Sequence, residues 1–148
     1  MEFSGSHILS IDQFSRSDVE KLFNIADSLE PYSSKIKVTR VLEGAILGNM
    51  FFEPSTRTRI SFGASFNLLG GNVREITEVS SSSLAKGESL IDTAKVLSGY
   101  SDIIVMRHPE EGSVQEFAEA SRVPVINGGD GANEHPSQAL LDLYTIGK

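Results

Sequence analysis

From residue 45 onward the chain alternates short apolar runs with amphipathic ones, and this alternation restricts the fold more than any other feature. Strand-like runs at 45–52, 73–76, 102–107 and 123–127 are each followed by a helical stretch, at 56–69, 88–99, 113–120 and 136–146. Strands separated by helices run parallel, because a long crossover returns the chain to the same end of the sheet. Right-handed crossovers then put helices on both faces. Ile103, Ile104 and Val105 form a continuous apolar run, as in a strand covered on both sides. The helix after the first strand carries Phe62, Phe66 and Leu69 on one face and stops at Gly70-Gly71, residues that tolerate a left-handed C-terminus. Ahead of this region Ser15, with Asp18 three residues on, reads as an N-cap, and Val19, Leu22, Phe23, Ala26 and Leu29 recur at helical spacing before Pro31. The expected fold is α/β: a doubly wound four-stranded parallel sheet with helices on both faces, preceded by an N-terminal helix, as one domain over residues 1–148.

Composition narrows what such a domain can do. With 39% hydrophobic and 22% charged residues, and no apolar run long enough for a membrane span, the chain reads as a soluble domain with no membrane partner. Met1 to His7 show neither the basic nor the apolar region of a secretory signal, which points to the cytoplasm. There is no cysteine, so disulfides, thiolate nucleophiles and Cys-type zinc sites are excluded. The three histidines, His7, His108 and His135, have no metal-ligand spacing, so no metal is expected. A net charge of −7 argues against general nucleic-acid binding, which needs a basic face. Any anionic ligand must therefore be caught by a local cluster.

Open parallel sheets bind ligands beyond the carboxyl ends of their strands. There the first strand runs into Phe51-Phe52-Glu53-Pro54-Ser55-Thr56-Arg57-Thr58-Arg59 as a helix begins. The first N–H groups of a helix lack internal partners and lie at the positive end of its dipole, a ready phosphate site. Ser55, Thr56 and Thr58 add hydroxyls, and Arg57 can fork onto two phosphate oxygens. A blander reading has Ser55 or Thr56 capping the helix and the arginines in solvent. Two arginines on a first turn oppose the dipole, however, and a bound anion accounts for Arg57 better. Arg59, two positions on, points elsewhere and suits a structural or subunit-interface role as well as a catalytic one. Glu53 suits a helix start as an acid that complements the dipole.

The third strand ends at Met106-Arg107-His108-Pro109, and the fourth leads into a glycine-rich loop that delivers His135 and Gln138. Gly129-x-Gly131 resembles the opening of a dinucleotide fingerprint, but Glu134 occupies the third glycine position, so no nucleotide cofactor is expected. Residues 80–86 are serine-rich and on composition alone suit a solvated loop.

Taken in order, Phe-Phe-Glu-Pro-Ser-Thr-Arg-Thr-Arg, Lys86-Gly87-Glu88-Ser89-Leu90, Val105-Met106-Arg107-His108-Pro109 and Gly129-Asp130-Gly131-x-Asn133-x-His135-Pro136-x-Gln138 resemble the aspartate carbamoyltransferase family over nearly the whole chain. Ser-Thr-Arg-Thr-Arg is shared with ornithine carbamoyltransferases, whereas Met-Arg-His-Pro and Gly-Asp-Gly-x-Asn point to the aspartate member. The resemblance implies that Ser55, Thr56, Arg57 and Thr58 hold the phosphate of carbamoyl phosphate, with Arg107 contacting it and the carbamoyl oxygen. Thr58, Arg107 and His135 would polarise the carbonyl, and Gln138 would hold the carbamoyl amino group. Ser83 and Lys86 occupy the places of a serine and a lysine that the family's homotrimer lends to a neighbouring active site; Ala85 stands where some members carry a second lysine. The acid at the place of Glu53 bridges two domains in the family. The implied reaction is attack of the aspartate amino group on the carbamoyl carbon, with phosphate leaving and no cofactor or metal. The family's aspartate-binding domain follows the last helix, so the expectation is a chain holding the carbamoyl-phosphate half, with aspartate bound only in company of that domain and with regulatory chains as further possible partners. Competing readings are a non-catalytic phosphate-metabolite or trimerisation module, and an ornithine carbamoyltransferase.

Overall fold

A computed structural model describes residues 1–77 and 88–148. Among them, β1 (Ile46–Phe51), β2 (Asn72–Ile76), β3 (Ile103–His108) and β4 (Val125–Asp130) form one sheet in the order β2-β1-β3-β4, every neighbouring pair parallel. The helices are α1 (Arg16–Ser33), α2 (Thr56–Leu68), α3 (Leu90–Leu97), α4 (Ser113–Ala120) and α5 (Pro136–Ile146), with a 3₁₀ turn at Ile11–Gln13 before them. Among the described residues no helix is long and apolar enough to cross a membrane.

Alternate residues of a strand face opposite sides of the sheet, and the core divides accordingly. Met50, Ile104, Met106 and Val125 meet Ala94 of α3 and Val114, Phe117 and Ala118 of α4. On the other face Leu47, Phe51 and Val105 meet Phe62 and Phe66 of α2. Each fully buried side chain of this size contributes roughly 1.5–3 kcal/mol, and Phe117, Ile104 and Met106 are all 0% exposed. The doubly wound arrangement with helices on both faces therefore follows from apolar residues placed on both parities of β1 and β3.

From β1 the chain crosses to β2 on one side, while β3 lies on the other side of β1. The carboxyl ends of β1 and β3 thus adjoin where strand order reverses, the position at which open α/β sheets bind ligands. Phe51 is in register with Arg107 there, and the Phe52 N–H donates to the Arg107 carbonyl at 2.9 Å.

The structure departs from the sequence reading at several boundaries. The α1 helix continues past Pro31 to Ser33, since a proline in the last turn removes only one backbone hydrogen bond; its Ser15–Asp18 capping box is as expected. The α3 helix is shorter than 88–99, starting after Ser89, whose hydroxyl accepts from the Asp92 N–H at 3.1 Å. The β4 strand runs through Gly128-Gly129-Asp130, residues of poor strand propensity, because His108 of β3 pairs with Asp130 past a register shift. Residues 7–9, where no strand is expected from sequence, lie alongside β4: the Ile8 N–H donates to Val125 O at 2.8 Å and the Asn127 N–H to Ile8 O at 2.8 Å.

Candidate active site

Two helix N-termini open into one cleft, and neither is closed by its own side chains. Ser55, at the N-cap of α2, has φ −154° and ψ 81° and makes no capping hydrogen bond. His135, at the N-cap of α5, has φ −147° and ψ 70° and likewise makes none, with Pro136 fixing the first turn. Neither first turn contains an acid. The positive ends of both dipoles are therefore left for something outside the helices. The cleft between them has a volume of about 980 Å³ and is lined by Ser55, Thr56, Arg57, Thr58, Arg107, His135 and Gln138, seven residues singled out in the sequence. Ser61, Phe62 and Ser65 of α2, and Ser137 and Leu141 of α5, extend it. Arg57 meets no carboxylate among the described residues, which leaves its guanidinium available to an anion. Ser83 and Lys86 lie outside the described residues.

Arg107 is held rather than mobile. Its Nε donates to Glu53 Oε2 at 2.8 Å and its Nη1 to the Gly128 carbonyl at 3.1 Å. Glu53, read from sequence as a dipole-complementing acid and from the family as a bridge between domains, is here the ion-pair partner of Arg107. The close approach explains Gly129: its φ is +120°, and a Cβ there would sit 2.7 Å from Arg107 Nη1. Strand parity gives His108 the opposite face from Arg107, and its ring packs edge-on against Phe52 at 5.8 Å.

His135 is half-buried. Burial holds its imidazole below the ordinary range, the Arg107 guanidinium pushes the same way, and the negative charges of Asp142 and Glu53 oppose them. A neutral ring whose Nδ1 accepts from the Ser137 hydroxyl, 3.3 Å away, carries its proton on Nε2 and can donate it. The loop that delivers His135 is organised by Asp130, which is 2% exposed. Its Oδ1 accepts from Asn127 Nδ2 at 3.1 Å and the Glu134 N–H at 2.9 Å; its Oδ2 accepts from Asn133 Nδ2 and the Gly112 N–H, each at 3.1 Å. Burial alone raises the Asp130 carboxyl, but these hydrogen bonds outweigh it and hold the group below the usual carboxylate range. Glu134 ties the same loop to the 3₁₀ turn, accepting from Ser10 Oγ at 2.8 Å and the Ile11 N–H at 3.2 Å.

Arg59 takes the structural role: it pairs with Glu75 of β2, and its carbonyl accepts from Asn49 Nδ2 at 3.1 Å. Gln138 lies exposed at the rim with its amide nitrogen donating to Asp142 Oδ1 at 2.9 Å. Glu53, Ser137, Asp130 and Glu134 had no assigned part in the site from sequence. The one advance signal was the position of Asp130 and Glu134 between the strand and His135.

The arrangement can bind a small dianion at the two helix starts and place several donors around an adjoining carbonyl. A family model described as "Aspartate/ornithine carbamoyltransferase, carbamoyl-P binding domain" matches residues 6–148. The aspartate carbamoyltransferase catalytic subunit of Saccharophagus degradans is 78% identical over 148 residues, all of this chain and 44% of the relative. That of Dichelobacter nodosus is 58% identical over 146 residues, 99% of this chain and 42% of the relative. Among solved structures, Trypanosoma cruzi aspartate transcarbamoylase in complex with carbamoyl phosphate superposes with a TM-score of 0.90 at 43% identity, covering 96% of this chain and 44% of that one. The catalytic subunit of M. jannaschii aspartate transcarbamoylase gives a TM-score of 0.89 at 49% identity, over 95% of this chain and 46% of that one. The chain thus spans less than half the length of these relatives, and it belongs to the aspartate/ornithine carbamoyltransferase family, in its carbamoyl-phosphate-binding domain.

Proposed function

We propose that the cleft binds carbamoyl phosphate and that the chain is the carbamoyl-phosphate half of an aspartate carbamoyltransferase, transferring the carbamoyl group to the amino group of L-aspartate for pyrimidine biosynthesis. The observation that carries this is the meeting of two uncapped helix N-termini with Arg57 and the tethered Arg107 at the reversal point of the sheet. The relatives named above favour the aspartate over the ornithine reaction.

In this reading Ser55, Thr56, Arg57 and Thr58 hold the phosphate with the first amides of α2. Charge-assisted hydrogen bonds of about 1.5–3 kcal/mol each make three or four of them enough for affinity between millimolar and micromolar. Thr58, Arg107 and neutral His135 donate to the carbamoyl oxygen and stabilise the charge that grows there as the amine attacks. Two donors of Arg107 are already committed to Glu53 and Gly128, so the group meets the developing charge without reorganising. Gln138 receives the carbamoyl amino group. Phosphate leaves with the electron pair of the broken C–O bond and can accept the amine proton. Catalysis is by positioning and electrostatics, with no covalent enzyme intermediate. The aspartate site belongs to a domain outside these 148 residues, in keeping with relatives more than twice as long. A homotrimer sharing Ser83 and Lys86 between subunits, attachment of regulatory chains and a cytoplasmic location complete the proposal.

Calorimetric titration of the chain with carbamoyl phosphate tests it. Saturable binding that disappears in Arg57→Ala, with the fold intact by circular dichroism, is expected; unchanged affinity in the variant refutes the phosphate site. Adding a separately produced aspartate-binding domain is expected to give carbamoyl-aspartate, and its failure would favour a non-catalytic binding module.

A further inference from the structure

His135, Gln138 and Asp142 are spaced by three and four residues, so they follow one another along one side of the start of α5. Gln138 Nε2 donates to Asp142 Oδ1 at 2.9 Å. An ionised carboxylate accepts hydrogen bonds and donates none, so this contact admits a single orientation of the amide: its NH₂ group toward Asp142 and its oxygen away. Gln138 Oε1 accepts no hydrogen bond among the described residues, and Gln138 lines the cleft beside His135 and Arg107. The negative charge of Asp142 is also felt at His135, which places it within reach of the site.

We infer that Asp142 is a specificity-determining positioning residue, which turns the Gln138 amide so that the cleft is offered an acceptor and selects an acyl phosphate bearing an amino group over one bearing a methyl group. This rests on the carbamoyl-phosphate reading. An amide turned the other way would set its own NH₂ against the amino group of the ligand, two donors facing each other, and would favour neither acyl phosphate. With Asp142 in place an amino group gains a hydrogen bond, whereas a methyl group leaves the amide oxygen unpaired. Asp142 is not among the residues that line the cleft, so its action is exerted through Gln138.

Two measurements test this together. In the first, the side-chain amide signals of Gln138 are followed by NMR as carboxylates titrate. They are expected to shift with the ionisation of a carboxyl group, and the shift is expected to vanish in Asp142→Asn. Glu53, Asp130 and Glu134, the other acids near the site, are unchanged in that variant. Signals that titrate identically in both proteins overturn the inference whether or not any ligand binds. In the second, affinities for carbamoyl phosphate, acetyl phosphate and inorganic phosphate are compared. Asp142→Ala is expected to lower the carbamoyl-to-acetyl preference by roughly two- to fivefold, part of the way to the preference of Gln138→Ala, with inorganic phosphate held as well as before. A preference equal to that of the parent overturns the inference alone. A parent chain that binds none of the three phosphates overturns the reading of the cleft on which it rests.

Discussion

Substituting Gly129→Ala tests the tethering of Arg107 without altering any group that could touch a ligand. The backbone φ of +120° is a conformation that L side chains rarely adopt, which costs about 1–3 kcal/mol of stability. The new Cβ would lie 2.7 Å from Arg107 Nη1 and 3.0 Å from its Cζ, about 0.7 Å short of ordinary contact. The guanidinium has little room to give, because it is bonded to Glu53 at 2.8 Å and to the Gly128 carbonyl at 3.1 Å. Moving it breaks at least the longer of these and turns its remaining donors from the cleft. Losing one charge-assisted hydrogen bond to the ligand, at about 1.5–3 kcal/mol, weakens carbamoyl phosphate binding by about ten- to 150-fold. Calorimetry reads the affinity, and urea denaturation reads the stability. Gly128→Ala is the control: its Cβ meets Val105 Cγ1 at 3.3 Å rather than the guanidinium, so its affinity should change far less. A Gly129→Ala protein that is destabilised yet binds as tightly as the parent would show that Arg107 is not positioned by this glycine.

Two further outcomes follow from the same geometry. His135 is depressed by burial and by Arg107, so it is neutral at physiological pH; in the folded state it resists protonation, and its contribution to stability is lost as the pH falls through the ordinary histidine range. Phosphate at the helix starts adds negative charge beside the ring, and NMR titration should show the His135 pKa rising on saturation with phosphate; an unchanged value would place the anion elsewhere. Asp130→Asn puts an NH₂ group where two N–H donors already point, at Gly112 or Asn133 on one side or Asn127 and Glu134 on the other. Leaving a buried donor unpaired costs about 1–3 kcal/mol, to be read by denaturation, together with weaker ligand binding as the His135 loop loosens; a variant as stable as the parent would mean that Asp130 does not organise the loop.

The layered fold was legible because its determinants are local. The apolar runs of β1 and β3 and the helix starts at Ser15 and Thr56 declare themselves within a few residues. The β4 strand was read three residues short because Gly128 and Gly129 have no side chains to signal a strand, and only pairing with β3 keeps them extended. That Arg57, Arg107 and His135 meet in one cleft was readable from residue type and place at the carboxyl edge, and that Gln138 joins them from its spacing to His135. The partners that fix them were not: Glu53 and Arg107 are 54 residues apart, and nothing in the local sequence announces their pairing. Strand order is hidden for the same reason, being decided by which faces meet once the helices pack. Arg59 was set apart from Arg57 by its place two positions on, but the acid that claims it, Glu75 on a neighbouring strand, was not readable.

The link from Ser10 to Glu134 joins residues 124 positions apart, and it stands directly beside His135. Contacts of such wide separation close late, since the entropy of bringing distant segments together must be met before they gain anything. Neither Ser10 nor Glu134 belongs to the sheet or its helices, so the core can be complete with the His135 loop unbraced. Loosening of residues 7–11 from β4 is therefore expected to weaken ligand binding before it unfolds the core, so that the N-terminal segment acts as a remote brace on the site.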